Sequence, residues 1–195
     1  IFGSTGKHYA QIVHGAPFDL FFAADRARPE RLEREGRALD GTRFTYAVGR
    51  LVLWSADARR VDDGGNVLAE NSYRHLAIAN PSLAPYGRAA RETLQALGLW
   101  EAVAPRLVTG ENIAQAYQYV RSGNAELGLV AWSQVLQSGS QGSSWLVPES
   151  LHAPIEQQCI ALRAGEAAAR FLEFVRSEAG VEIIRAHGYG VPDDS

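Results

Sequence analysis

Three stretches of the chain place hydroxyl, amide or phenol donors where a helix begins just after a strand. The first is Gly3-Ser4-Thr5-Gly6, between the apolar pair Ile1-Phe2 and a helical run from Lys7 to His14. Its glycines let the backbone turn sharply, and the helix that follows points its unpaired N–H groups and the positive end of its dipole back at Ser4 and Thr5. Such a loop holds an anion without any basic residue. The second stretch is Asn80 to Gly87, where Pro85 suits the first helical turn because it has no N–H, and Tyr86 then offers an amide and a phenol. The third is Asn112-Ile113-Ala114-Gln115. Asn112 is a good N-cap and Gln115 follows three residues on, a capping-box spacing that leaves the Ile113 amide for a ligand. Each stretch also has a plainer reading: Thr5 and Asn112 as ordinary caps, Tyr86 as a packed tyrosine. The residues by themselves leave both readings open.

Other chemistry has less support. The histidines are His8, His14, His75, His152 and His187, and none falls into a spacing with cysteine, carboxylate or a second histidine that suits a metal ion. A nucleophile needs a base oriented by a third group, and no such set stands out, so no catalytic residue is assigned. Acidic residues such as Glu33, Glu35, Asp62 and Asp63 read as solvated faces. The single cysteine, Cys159, excludes an internal disulfide and lies in a strand-like run, where a buried, inert thiol is expected.

The elements that must position these loops follow from the apolar pattern. The chain has 195 residues, 46% hydrophobic and 21% charged, with a formal net charge of −3. That size accommodates one large domain or two small lobes, and that charge invites neither nucleic acid nor an anionic membrane. No apolar run approaches the roughly 20 residues needed to cross a bilayer. There is no methionine, and the opening Ile1-Phe2 reads as the tail of a strand; the natural N-terminus and any signal peptide are expected to lie upstream. Phe18 to Ala24 reads as a buried parallel strand. Phe44 to Trp54 reads as one long strand with a bend at Gly49, and Pro154 to Arg163 as its counterpart in the other direction. His75 to Ala79, Leu107 to Thr109 and Glu126 to Ala131 are shorter strands. Helices are expected at Pro29 to Glu35, Arg88 to Leu97, Ile113 to Arg121, Trp132 to Gln137, Glu166 to Ser177 and Ala179 to His187. Asp57 to Asn71 reads as a polar surface excursion and Ser138 to Ser144 as a mobile surface loop. Strands alternating with helices predict an α/β fold with parallel sheets, and the two long crossings divide it into lobes. Residues 1–48 and 157–195 form the first lobe and residues 49–156 the second.

The order of these motifs resembles the periplasmic molybdate-binding proteins of ABC importers. The resemblance rests on Gly3-Ser4-Thr5-Gly6, Tyr9-Ala10-Gln11-Ile12-Val13, Gly15-Ala16-Pro17-Phe18-Asp19 and Phe21-Phe22-Ala23-Ala24-Asp25. Tyr46 to Trp54, Ala79-Asn80-Pro81, Ala84-Pro85-Tyr86-Gly87, Asn112 with Gln115, and Gly188-Tyr189 extend it over nearly the whole chain. It implies a two-lobed type II periplasmic-binding-protein fold with mixed, mostly parallel sheets, closing on one tetrahedral oxyanion in the cleft between lobes. It implies Thr5 as a hydroxyl donor where the usual residue is serine, and Tyr86 and the Ile113 amide as further donors. Ser4 and Asn112 are secondary candidates, the latter as a cap. Some members carry a tyrosine after the strand that here ends at Ala131; this chain has Trp132 there, which leaves Tyr86 as the phenol donor.

The resemblance further implies a ligand of molybdate or tungstate, molybdenum being present only as the oxyanion, with no cofactor and no cationic metal. It implies a permease partner, a periplasmic location and no catalysis. A family member begins with a further strand-plus-helix unit whose loop carries donors and whose strand lies inside the first lobe's sheet, between the strand ending at Phe2 and the strand Phe18 to Ala24. Without that unit the chain alone is expected to be unstable or to associate, and to bind oxyanion weakly. Two alternatives stay open: a binding protein for another tetrahedral oxyanion, and the ligand-sensing domain of a transcription regulator.

Overall fold

The computed structural model describes residues 5–70, 72–139 and 141–192. In chain order the helices and strands are α1 (Thr5–Val13), β1 (Leu20–Ala23), α2 (Ala27–Arg34), β2 (Phe44–Gly49), β3 (Leu51–Ser55), β4 (Leu76–Ala79), α3 (Pro85–Ala96), α4 (Trp100–Val103), β5 (Leu107–Gly110), α5 (Ile113–Arg121), β6 (Leu127–Ala131), α6 (Trp132–Gln137), β7 (Ser143–Leu146), β8 (Ile155–Ala161), α7 (Glu166–Arg176) and α8 (Glu178–Ala186). Short 3-10 turns add Asn66–Ala69, Ala104–Arg106 and Glu149–Leu151. The chain divides into two compact units, residues 1–48 with 155–195, and residues 49–154.

The first unit is built on a sheet in the order β1-β8-β2. Side chains alternate across β1, as a strand's period of two requires. Phe21 and Ala23 join Ile12, Leu32 and Ile160 in a cluster that α1 and α2 cover. Leu20 and Phe22 pack on the opposite face against Cys159, Ala161 and Leu172 of β8 and α7. Phe22 meets Tyr46 edge-on at 5.1 Å and Phe171 at 5.8 Å. Gln158, buried in the middle strand, is satisfied on both sides: its Oε1 accepts from Arg43 at 2.9 Å and its Nε2 donates to Thr45 at 3.0 Å. Val48 and Gly190 exchange backbone bonds of 2.7 and 2.8 Å.

The second unit carries a five-stranded sheet ordered β5-β4-β6-β3-β7. β4 runs parallel to both β5 and β6, while β3 is antiparallel to β6 and β7. Every residue of β3, β4 and β6 is buried. These runs are continuous rather than alternating because helices cover both faces. Trp54 stacks on Tyr117 of α5 with ring centroids 5.2 Å apart.

Several expectations are corrected. The described partner of β1 is β8, and the pairing is antiparallel, not parallel. An apolar strand covered on both faces reads the same in either direction, because the pattern reports burial and not the partner's heading. Phe44 to Trp54 is two strands, parted at Arg50, each joining a different sheet. Ser138 to Ser144 is not loop throughout: Ser143 and Ser144 open β7, a short edge strand whose alternating exposure and serines hide it in the sequence. Asp57 to Asn71 is not all surface, since Val61, Val67 and Leu68 are buried. Asp62 supplies this excursion's local order, accepting from the N–H groups of Gly64, Asn66 and Val67, and these bonds hold its carboxyl below the usual range. Gly65, with φ of 66°, lies so close to Trp145 that a Cβ there would fall 2.3 Å from the indole. α3 begins at Pro85, three residues before the expected start.

Cys159 is fully buried, and burial pushes its thiol up to about 12. The thiolate is the reactive form, so the native protein is expected to stay unmodified by a thiol reagent at pH 8 and to react only under unfolding conditions. A mass spectrum after timed exposure, with and without denaturant, checks this.

Candidate functional site

In the second unit two candidate loops leave the sheet side by side. β4 and β5 are parallel neighbours in a register that sets Ala79 opposite Gly110, and the Asn80 N–H donates to the Gly110 carbonyl at 2.8 Å. The loop after β4 folds on Asn80: its side chain accepts from Ser82 at 2.9 Å and its carbonyl from Leu83 and Ala84 at 3.2 and 2.9 Å. Ala84 is extended, no side chain caps α3, and Pro85 occupies the first turn. Tyr86 is buried at the second position of the helix. The first turn of α3 lies on the end of β4: a Cβ on Gly87 would fall 2.4 Å from the Ala79 carbonyl oxygen and 2.6 Å from that of Asn80. Only a glycine permits that approach.

α5 starts from the neighbouring strand end. The Asn112 Oδ1 accepts from the Gln115 N–H at 3.0 Å, and the Gln115 Oε1 accepts from the Glu111 N–H at 2.7 Å. The cap therefore satisfies the third amide of the helix. The N–H groups of Ile113 and Ala114, at the first two positions, have no acceptor within the helix. Asn112 acts here as a cap, and the amide after it has no acceptor within the helix.

The third strand-to-helix junction of this sheet end, β6 to α6, differs. Its first amide, Trp132 N–H, donates to the Arg50 carbonyl at 2.9 Å. That amide is already used inside the unit, which only the course of the chain at Arg50 reveals.

In the first unit Thr5 opens α1, and its Oγ1 accepts from the Ala24 N–H at 3.1 Å. A hydroxyl that accepts one bond keeps its own proton to donate. Ser4, the other hydroxyl of that loop, lies outside the described residues. Two residues beside Thr5 were missed in the sequence. Asp25 is buried and pairs with Arg28, whose guanidinium lies against Gly6, within 3.4 Å of where a Cβ would stand. The i, i+3 spacing of an acid and a base at the start of a helix was their signal.

The charge pattern of the helix starts sets these sites, and α6 with them, apart from the others. α1, α3 and α5 carry no acidic residue in the first turn. α2, α4, α7 and α8 each carry one: Glu30, Glu101, Glu166 and Glu178. An acid at a helix start is stabilising for the fold but repels an anion. Among the described residues no group of three or more His, Cys, Asp or Glu is placed to hold a metal ion, and no helix is long and apolar enough to cross a membrane.

Residues 1–190 match the family of bacterial extracellular solute-binding proteins. This chain belongs to that family. The molybdate-binding protein ModA of Azotobacter vinelandii is 51% identical over 195 residues, covering 97% of this chain and 77% of its own length. ModA of Rhodobacter capsulatus is 50% identical over 191 residues, covering 96% and 75%. The solved periplasmic molybdate-binding protein of A. vinelandii superposes with a TM-score of 0.89 at 44% identity, over 97% of this solute-binding protein and 85% of the other. The α/β architecture with mixed sheets flanked by helices is that of the periplasmic binding proteins.

Replacing Asn112 with alanine removes the cap of α5 and is expected to cost about 1 kcal/mol of stability. Urea titrations of the variant beside the parent chain check the loss.

Proposed function

We propose that this solute-binding protein takes up one tetrahedral oxyanion, molybdate or tungstate, in the periplasm and delivers it to the permease of an ABC importer. The observation that carries the reading is the set of helix starts at α1, α3 and α5. α3 and α5 leave donors without helical partners, and none of the three has an acid in its first turn. The ModA proteins similar to this chain support the choice of ion.

The assigned donors are the Thr5 hydroxyl, the Tyr86 phenol or amide and the Ile113 amide, with Ser4 as a further hydroxyl. Charge-assisted hydrogen bonds from neutral groups are strong where water is excluded, so a dianion is held without a fixed counter-charge. A site made only of donors disfavours protonated phosphate, whose own hydrogen would face donors. Sulfate carries the same charge as molybdate but is smaller, so spacing of the donors must reject it. Molybdate and tungstate are nearly alike in shape and are expected to bind comparably. The protein is expected to bind the ion without transforming it.

Calorimetry on the complete protein is expected to show one site per chain for molybdate and tungstate, with sulfate and phosphate far weaker. Sulfate binding as tightly as molybdate would overturn the assignment.

Tyr86→Phe is expected to weaken molybdate binding by about 1.5–3 kcal/mol, the worth of a hydrogen bond to a charged partner. An unchanged affinity in the same titration would assign the role to the Tyr86 amide in place of the phenol.

A further inference from the structure

We infer that Asp25 and Arg28 are positioning residues that aim the Thr5 hydroxyl, an inference that rests on the oxyanion-binding reading above. Asp25 follows directly on Ala24, whose N–H binds the Thr5 Oγ1 at 3.1 Å. It is only 4% exposed, and a buried carboxylate needs partners. One oxygen accepts from the Arg28 N–H at 2.9 Å and so does the capping of α2, whose own N-cap residue, Arg26, makes no side-chain cap bond. The other oxygen pairs with the Arg28 guanidinium. That guanidinium then lies along the first turn of α1, with Nη2 3.4 Å from the place a Cβ on Gly6 would take.

The geometry forms a closed circuit. Asp25 ties the end of β1 to the start of α2, Arg28 carries the tie across to Gly6, and Thr5, one residue before, returns it to Ala24. Two links are hydrogen bonds, Ala24 to Thr5 and Arg28 to Asp25, the third is the approach of the Arg28 guanidinium to Gly6, and three members lie within four residues of one another. Its effect on Thr5 is directional. With Oγ1 committed to accepting from Ala24, the hydroxyl proton is the one group left to point outward as a donor. A cation beside a helix N-terminus is unfavourable unless it is paired. The Asp25 carboxylate neutralises Arg28, so the guanidinium serves as a flat wedge rather than as the counter-charge of the bound ion.

The test uses the full chain with Asp25→Asn, Arg28→Gln, the double variant and Arg28→Lys. Molybdate affinity is read by calorimetry, global stability by urea, and exchange of the Ala24 amide by NMR. Each single variant is expected to weaken molybdate about tenfold, and the double variant no more than the weaker single, because the pair acts as one device. Ala24 exchange is expected to accelerate in all four variants beyond what the change in global stability explains. Arg28→Lys keeps the charge but loses the flat fork, and is expected to behave as Arg28→Gln. Full affinity in Arg28→Lys would make charge, not position, the operative property and overturn the inference. Unchanged Ala24 exchange with lost stability would reduce the pair to an ordinary structural ion pair and also overturn it. If the complete parent protein takes up no molybdate, the proposed ligand fails, while Ala24 exchange still decides for or against the clamp.

Discussion

The first amides of an α-helix have no acceptor in the helix, and the peptide dipoles add a partial positive charge at the same place. Most helix starts in this protein answer that deficit from within. α2, α7 and α8 set a glutamate in the first turn, Ser177 accepts from the Gly180 N–H at 3.3 Å, and α6 gives its first amide to the Arg50 carbonyl. α3 and α5 are answered only in part, which is the observation behind the proposal that an anion completes them. A carboxylate in those turns would add stability and repel an anion.

Leaving donors open demands that the backbone around them be held firmly. In the second unit the parallel pairing of β4 and β5 brings two helix starts to one sheet edge, and each is pressed onto its strand by a glycine. Gly87 admits the first turn of α3 to the end of β4. Gly110 does the same for α5, since a Cβ there would stand 2.8 Å from the Ala116 N. Beneath them the fully buried strands and the Trp54–Tyr117 stack form a close-packed floor. Such interiors resist small displacements, so the loops above inherit fixed positions.

Neutral donors suit a carrier that must release its ion. A guanidinium in direct contact would bind any small dianion strongly, whereas hydroxyls and amides discriminate by distance and direction. The acid–base pair at Asp25 and Arg28 follows the same economy, with its charges consumed by one another.

Much of this was legible in the sequence because the signals are local. Asn112 with Gln115 forecasts a cap, and the structure shows that bond; Pro85 forecasts a helix start; Ile113–Arg121 and Trp132–Gln137 fall at their expected bounds because both begin after a strand and stop at polar or glycine residues. The order of motifs was enough to indicate the family. What the sequence could not contain was anything set by contacts between distant residues. The antiparallel heading of β8 beside β1, the division of one apolar run between two sheets at Arg50, the edge strand at Ser143–Leu146 and the use of the Trp132 amide by Arg50 all depend on which segment lies next to which. Arg28 is the sharpest instance: its charge was visible from the start, but that it lies against Gly6, twenty-two positions earlier, is decided only when β1 and α1 pack together. Local hydrogen bonding and hydrophobic period are properties of a short window of chain, and the neighbours that a side chain meets across a core are not.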